Sequence, residues 1–540
     1  MVCNNMSKIS DDYFGPKAVY DHFMEITIRS HPSRDEEHPE RGDENLVREY
    51  VAECAGKIDN VRTVFYKPDA TDAGERVIVL RRPGSGDYSN APYVTLQAHM
   101  DMVCYPKNEI FPLDVFDYDI NGEKWIKAGD KASISEPSKG TTLGADDGIG
   151  VATALALLED ESLKDYPIEC LFTVQEETNM GGAEKFDKDL LSGRKYINLD
   201  AEDLQIIIYA SAGGCDVSYT GTVERSDMED KFAALKISIS GLRGGHSGIN
   251  INKGRLNAIK ALTEVLISLN ERITNLDAAN EDIASYDLRL VSMKRDEEAK
   301  MNSIPSSASA VIAIPRDKME SFVSNFVAQC IALKARYQPE ESKFKFSWQP
   351  CRPGDVLEKP LSKISTDALL CLLRLIPHGV IRMIPEKKND KLVETSTNLA
   401  SIDIGGDEVA IKASNRSSHD ASMTALMNIQ KSVGDCFNYS VEFSLGYPSW
   451  QPNENSDLLA KAKDVYKSIY GEDHYDATVI HAGLECSYIV QKYSDDSNKM
   501  DCISIGPTIV DPHSGGERLK ASTVEQFYGA VSQILHKLYE

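Results

Sequence analysis

The sequence lacks the features that define several classes of protein. Its 540 residues carry 59 Lys and Arg against 84 Asp and Glu, a formal net charge of −25, so little basic surface is available for nucleic acid or anionic membranes. No apolar run of about 18 residues could cross a bilayer, and residues 1–10 have no apolar segment behind a basic start. We therefore expect a cytoplasmic protein with no nucleic-acid or membrane partner.

Two further absences concern the kinds of site that the chain could carry. Its 11 cysteines are odd in number and scattered without a Cys-x-x-Cys pair, which favours reduced thiols over a disulfide framework or a cysteine-based zinc site. There is no Walker A sequence and no strand-associated GxGxxG motif. Cysteine-based metal sites and phosphate-binding loops are therefore not indicated.

The order of hydrophobic patterns predicts an α/β protein of more than one domain. Helical and strand patterns alternate at the start of the chain, as in a mainly parallel sheet with helices on its faces. The pattern then changes to the strands and amphipathic helices of an α+β layer, and the first pattern returns near the end. We predict an α/β domain of residues 1–212 and 438–540, interrupted by an inserted domain at 213–437. Residues 103–140, rich in Pro, Asp, Lys and Gly, are predicted as a long loop.

Histidines and acidic residues collect where predicted strands end, beginning with QAHMDMV. His99 and Asp101 are two residues apart, so on an extended strand both side chains leave the same face. Imidazole suits zinc, and a carboxylate on the other ring nitrogen would fix its orientation. Asp146 lies in LGADDGIG at a helix start, where capping alone also explains an acidic residue. Neither motif is decisive in isolation.

Three more strand ends carry the same chemistry. In FTVQEETNMGG a predicted strand ends at Glu176 and Glu177, of which one could bind metal while the other acts as general base. An isolated Glu-Glu pair is more often a solvated loop. Asp200 in INLDAED and His481 in VIHAGLECS also end strands, where a turn residue and a buried histidine are the ordinary interpretations.

The joint pattern is more specific than its parts. Two imidazoles and three carboxylates are enough for two zinc ions that share Asp146 and leave room for a water. Glu176 remains outside this set as a spare carboxylate. The candidate ligands are His99, Asp146, Glu177, Asp200 and His481.

These motifs resemble the aminoacyl-histidine (Xaa-His) dipeptidases of the M20 metallopeptidase family. The resemblance covers nearly the whole chain, from HMD, LGADDGIG and EETNMGG through SGLRGGHSGINI and NSIP to YPSWQP, HAGLEC and ISIGPT. It implies a zinc-peptidase-like catalytic domain with a mainly parallel central sheet and helices on both faces. It also implies that the inserted α+β domain is a lid that carries dimer contacts, so a homodimer is expected.

The resemblance also assigns metal-binding roles. His99 and Asp200 would hold one Zn²⁺, Glu177 and His481 the other, and Asp146 would bridge the pair, with Mn²⁺ or Co²⁺ as substitutes. Asp101 would orient His99, and Glu176 would be the general base.

Three positions in the inserted domain would bind substrate. His246 in SGLRGGHSG would donate to the substrate carbonyl, and Asn302 in NSIP and Arg416 in NRSS would hold the rest of the molecule. A guanidinium pairs bidentately with a terminal carboxylate. The expected function is hydrolysis of dipeptides of the Xaa-His type, such as Ala-His or carnosine-like substrates, by a metal-bridged hydroxide. The alternatives are a related metallohydrolase acting on tripeptides or N-acyl amino acids, and a non-catalytic binding protein of the same fold.

Overall fold

The computed structural model divides the chain into two compact units. It describes residues 15–34, 43–106, 111–270, 286–296, 301–352, 354, 358–384, 392–453, 455–494, 497 and 499–540. The first unit comprises Met1–Ser211, Trp450–Ile480 and Leu484–Glu540, and the second comprises Ala212–Ser449 with His481–Gly483. The predicted fold class, an α/β domain interrupted by an α+β domain, is confirmed.

The boundary at which the chain returns to the first unit lies later than residue 438. Ser440–Phe443 forms a strand that pairs antiparallel with Gly213–Thr222, so it belongs to a sheet of the second unit. The chain therefore returns at Trp450 and crosses briefly again at His481–Gly483. The first crossing, between Ser211 and Ala212, lies one residue before the predicted position.

The first unit is built on a mixed sheet whose centre is parallel. Ile168–Thr173, Val94–His99 and Lys195–Asn198 are parallel neighbours, and Asp501–Ser504 continues the parallel run. Antiparallel pairs flank this centre on both sides, between Ile78–Arg82 and Ile168–Thr173 and between Ile206–Ser211 and Asp501–Ser504. In spatial order the described strands are Arg62–Phe65, Ile78–Arg82, Ile168–Thr173, Val94–His99, Lys195–Asn198, Asp501–Ser504, Ile206–Ser211 and Asp476–Ile480.

A second, smaller sheet occupies much of the segment that was predicted as a long loop. Val115–Ile120 and Glu123–Gly129 form a hairpin around Asn121 and Gly122, whose φ angles are 52° and 84°. Asn-Gly is the preferred pair for a two-residue turn that needs positive φ at both positions. The prediction of a long loop at 103–140 was therefore wrong for residues 115–129. The other strands of this sheet are Gly140–Thr141, Ile509–Val510 and Arg518–Lys520.

The helices of the first unit enclose its sheet with apolar faces. Ala145–Glu159 is buried almost throughout, and it packs against the strand Val94–His99 and the helix Lys17–Thr27. Its apolar residues on every side are typical of a helix covered by other elements. The described α-helices are Lys17–Thr27, Asn45–Ala55, Ala73–Arg76, Ala145–Glu159, Glu176–Asn179, Gly181–Lys185, Asp457–Tyr470, Cys486–Lys492 and Ala521–Tyr539.

The second unit contains antiparallel sheets covered by helices, with its own apolar core. One sheet consists, in spatial order, of Gly379–Met383, Val393–Gly405, Glu408–Ser417, Gly213–Thr222 and Ser440–Phe443. Another consists of Arg289–Arg295, Ala308–Pro315, Phe232–Ser240 and Lys345–Pro350, and Gly245–His246 pairs with Ser303–Ile304. The described helices are Ala258–Asn270, Met319–Arg336, Lys363–Leu375 and Asp420–Cys436. Among the helices that the structure describes in either unit, none has the length and apolarity that crossing a membrane requires.

Candidate metal centre

Three neighbouring strands of the first unit deliver acidic and histidine side chains to one edge of the sheet. His99 is the last residue of Val94–His99, and Asp200 follows Lys195–Asn198 after one residue. Glu176 and Glu177 open the short helix that follows Ile168–Thr173. Because parallel strands end at the same edge, their following residues meet there.

The Asp146 carboxylate lies at the centre of this group. Its Oδ1 is 3.1 Å from His99 Nε2, and that nitrogen is 3.5 Å from Asp200 Oδ1. Its Oδ2 is 3.0 Å from His513 Nε2, which is in turn 2.9 Å from Glu177 Oε2. Each carboxylate oxygen of Asp146 therefore faces a different imidazole, and each imidazole faces a second carboxylate.

The histidine beside Glu177 is His513 and not His481, which corrects the expected ligand set. The ligand atoms of His99, Asp146 and Glu177 all lie within 4.8 Å of one another, as do those of His99, Asp147 and Asp200. Among the described residues neither histidine at issue belongs to these two groups, but His513 Nε2 lies 3.0 Å from Asp146 and 2.9 Å from Glu177. His481 Nε2 instead makes a 2.7 Å hydrogen bond with Ser396 Oγ in the second unit.

The order of strands in the sheet explains why His481 lies away from the other expected ligands. The strand that precedes it, Asp476–Ile480, is at an edge, and two strands separate it from Lys195–Asn198. His513 lies in the PHSGG turn between two short strands, with a backbone φ of 59°. Non-glycine residues with positive φ are uncommon and often functional. The available sequence signal was a histidine in a Pro-Ser-Gly turn, which a search restricted to strand ends overlooks.

Asp101 orients the site in a different way from the one expected. The ring Nδ1 of His99 donates to the main-chain oxygen of Asp101 at 2.9 Å, while the Asp101 carboxylate is 3.7 Å from that nitrogen. The carboxylate accepts the backbone N–H groups of Glu176 at 3.2 Å and Glu177 at 3.3 Å, and the Ser33 hydroxyl at 2.6 Å. Asp101 therefore fixes both the His99 ring and the turn that carries the two glutamates.

Asp147 supports the same centre through backbone hydrogen bonds. Its carboxylate accepts the backbone N–H of His99 at 3.3 Å and that of Gly150 at 3.2 Å. The peptide bond between Asp146 and Asp147 is cis. The Asp147 side chain is therefore engaged with the backbone, while that of Asp146 faces the two histidines.

Neighbouring carboxylates shift the pKa of both histidines of the centre. Burial alone would lower the pKa of His99, but the carboxylates of Asp200, Asp146 and Asp101 outweigh burial and raise it well above its usual value. The pKa of His513 is raised in the same way by Asp146 and Glu177, against the effect of its burial. Carboxylates so concentrated in a buried site favour positive charge between them.

The residues present fit a pair of divalent cations. The Glu177 side chain is 5% exposed, and its Oε1 has no hydrogen-bond partner, although buried carboxylate oxygens are normally paired. One set of donors is His99, Asp200 and Asp146 Oδ1, and the other is His513, Glu177 and Asp146 Oδ2. Imidazole and carboxylate donors in this ratio suit zinc and similar ions, with one carboxylate shared.

The three expected substrate-binding residues all lie in the second unit. His246 Nδ1 accepts the backbone N–H groups of Gly248 and Ile249, each at 3.2 Å. A neutral His246 ring therefore carries its proton on Nε2. Asn302 is exposed, and its main-chain oxygen accepts the N–H of Ser247 at 2.8 Å.

Arg416 is a buried cation in the same unit. Only 8% of it is exposed, its Nη1 donates to Tyr447 Oη at 2.7 Å, and its Nε has no hydrogen-bond partner. Within the part of the chain that the structure describes, no carboxylate lies within ion-pair distance of it. Burial chiefly, and then the charges of Arg416 and His246, lower the pKa of His481 to about 3. The neighbourhood is therefore basic and would accept an anion.

The fold and this cluster of donors are those of a metallopeptidase. Residues 135–537 match the model of peptidase family M20/M25/M40, and the chain belongs to that family.

Two relatives match the chain over almost its whole length. It is 30% identical over 536 residues to the cytosol non-specific dipeptidase of Escherichia coli (strain K12), covering 99% of each chain. Among solved structures, it matches the aminoacylhistidine dipeptidase from Vibrio alginolyticus with a TM-score of 0.77 and 29% identity, covering 98% of each chain. The aminopeptidase PepT from Bacillus cereus ATCC 10987 shares the fold, with a TM-score of 0.51 and 13% identity over 98% of this chain and all of that one.

Replacing His513 and His481 one at a time tests which of them binds a cation. We expect His513→Ala to weaken binding of one of two divalent cations by more than about 100-fold, the most that loss of an orienting partner usually costs. His481→Ala should bind both cations as the unmodified protein does, because its Nε2 is hydrogen-bonded to Ser396 and not to the carboxylates of the centre. Equilibrium dialysis followed by elemental analysis measures the cations per chain. Loss of a cation in His481→Ala, with none lost in His513→Ala, would contradict the assignment.

Proposed function

We propose that the chain is a dipeptidase that uses two divalent cations, zinc in the first instance, with Mn²⁺ or Co²⁺ as substitutes. One observation carries this proposal: the two carboxylate oxygens of Asp146 face different histidines, His99 and His513. A single buried ion pair would need only one of these histidines. His99 and Asp200 would hold one cation and His513 and Glu177 the other, with Asp146 between them.

Zinc bound in this way supplies Lewis-acid chemistry, because it lowers the pKa of water from 15.7 towards roughly 7 and polarises a carbonyl oxygen. The proton transfers are left to the protein. Glu176 is the base in this proposal: it belongs to neither ligand group among the described residues, and its N–H is anchored to Asp101. Glu176 would accept a proton from the attacking water and return it to the leaving amine.

His246, Arg416 and Asn302 are the proposed substrate-binding residues. Since His246 Nδ1 accepts two backbone N–H groups, its Nε2–H is the group that can donate to a carbonyl oxygen on which negative charge develops. Arg416 would bind the terminal carboxylate of the substrate, supported by its burial and by the unpaired Nε. Asn302 would contribute from the exposed turn beside His246.

A dipeptide of the Xaa-His type is the proposed substrate. The name of the Vibrio relative states that preference for that protein, and the name of the E. coli relative states a broader dipeptidase activity in the cytosol. We extend the substrate class and the cytoplasmic location to this chain as proposals. A homodimer formed through the second unit is also proposed, and the exposed apolar side chains of Ile331, Trp348 and Ile364 support it.

Removal of the Glu176 carboxylate tests the mechanism. Glu176→Ala should keep both cations yet lower kcat for Ala-His by about 10²–10⁴-fold, the range for loss of a positioned proton carrier. Glu184→Ala, which removes an exposed carboxylate from the next helix, is the matched control and should be as active as the unmodified protein. Kinetics and elemental analysis on the same samples provide both readouts. Full activity of Glu176→Ala would eliminate Glu176 as the base.

A substrate panel tests the assignment of Arg416. The protein should hydrolyse Ala-His and carnosine-like dipeptides faster than tripeptides or N-acyl amino acids, and a chelator should abolish the reaction. Arg416→Met should raise KM for Ala-His by about 10–100-fold, since a hydrogen bond to a charged group contributes about 1.5–3 kcal/mol.

The C-terminal amide of Ala-His is the matched substrate for this test. It should respond little to Arg416→Met, because it has no carboxylate to lose contact with. Arg382→Met, on an exposed arginine of the same unit, is the control variant. Equal effects of Arg416→Met on the acid and the amide would place the carboxylate elsewhere.

A further inference from the structure

A buried glutamate holds the backbone at the start of the helix that carries Asp146. Glu517 is 2% exposed, and its Oε2 accepts the N–H groups of Leu143 at 2.7 Å and Gly144 at 3.2 Å. Its Oε1 accepts those of Ala145 at 2.8 Å and Asp146 at 3.5 Å. Within the described residues, no cationic side chain pairs with this carboxylate. Its hydrogen-bonding capacity is therefore directed to one turn of backbone.

That turn has no hydrogen-bond acceptor of its own for these N–H groups. A helix leaves its first N–H groups without partners, and a side chain just before the helix usually accepts them. Here Gly144 occupies that position, with a φ of 68° and no side chain, and Asp146 and Asp147 have non-helical backbone angles. A carboxylate from a distant part of the chain takes the place of the missing cap, and the positive end of the helix dipole favours its charge.

Glu517 belongs to the same turn as His513. The Glu517 N–H donates to Ser514 O at 3.1 Å, and the buried Lys127 ammonium donates to Gly515 O at 2.6 Å, so the turn is internally fixed. One end of this turn contacts Asp146 Oδ2 through the His513 ring. The other end holds the Asp146 backbone through Glu517. The two ends together determine where that carboxylate lies relative to His513.

We propose that Glu517 is a positioning residue for the metal pair: it fixes Asp146 against His513 and thereby sets the affinity of the cation held by His513 and Glu177. This inference rests on the proposed function. The cation at His99 and Asp200 depends on it less, because those ligands end adjacent strands that the sheet holds in register. Loss of Glu517 should therefore affect the two cations unequally.

Stepwise cobalt binding to the metal-depleted full-length protein tests the proposal. Glu517→Gln keeps the size of the side chain but replaces one acceptor oxygen with an NH₂ group that faces backbone donors. We expect the first Co²⁺ to bind within about threefold of the unmodified protein and the second about 10–100-fold more weakly, the range for loss of an orienting partner. Isothermal titration calorimetry gives both affinities, and the visible Co²⁺ spectrum reports the coordination of each step.

Glu169→Gln is the matched control. Glu169 is also fully buried and accepts backbone N–H groups, from Ser192 at 3.1 Å and Gly193 at 3.2 Å, but it lies near the opposite end of its strand from the metal ligands. Its replacement should destabilise the fold without changing either Co²⁺ affinity. Glu517→Asp provides a second variant that keeps the charge with a shorter reach, and it should show the same selective loss if Glu517→Gln does not fold.

Three outcomes would contradict the proposal. Unchanged binding of both ions by folded Glu517→Gln would make Glu517 a purely structural cap. Equal weakening by Glu517→Gln and Glu169→Gln would trace the effect to general destabilisation. If the unmodified protein binds fewer than two Co²⁺ ions, the proposed metal pair itself fails. That result is distinguishable, because it appears before any variant is made.

Discussion

The structure depends on one constraint, which is that the two oxygens of a single buried carboxylate must face two histidines from distant parts of the chain. Asp146 meets His99 through one oxygen and His513 through the other. Charges of both signs are expensive to bury unless each is paired. In this centre every imidazole faces two carboxylates, so the carboxylates outnumber the imidazoles. An arrangement of that kind is suited to hold divalent cations and is difficult to justify as a device for stability.

The fold satisfies this constraint by two separate means. Parallel strands place His99, Glu177 and Asp200 at one edge, where the register of the sheet fixes their spacing. Asp146 lies at the non-helical start of its helix and His513 in the turn between two short strands, and Glu517 joins those two segments through hydrogen bonds to the backbone. The rigid part of the centre is therefore supplied by secondary structure, and the irregular part is held by one buried side chain. Both kinds of support are needed to aim a shared carboxylate.

The sequence predicts correctly those features that depend on local hydrophobic pattern. It does not predict those that depend on which distant strands pair. Buried apolar runs correctly marked the central strands, and His99, Glu177 and Asp200 lie together because strand ends of a parallel sheet converge. Asp146, also expected as a ligand, joins them from the start of a helix. His481 also ends a strand, but the sheet order that puts Asp476–Ile480 at an edge is not visible in its sequence. The histidine that faces Asp146 and Glu177 in its place, His513, lies in a turn. The strand Ser440–Phe443 was assigned to the wrong domain for a similar reason, because its partner is more than two hundred residues away. The missed hairpin is different, since Asn121-Gly122 was a readable signal.

The most direct test of the account is anomalous diffraction from crystals of the zinc-loaded protein. The account predicts two peaks about 3.5–4 Å apart, the usual spacing of a shared pair, on opposite sides of the Asp146 carboxylate. One peak should be coordinated by His99 and Asp200, and the other by His513 and Glu177. A single peak beside Asp146, or a zinc ion coordinated by His481, would contradict it.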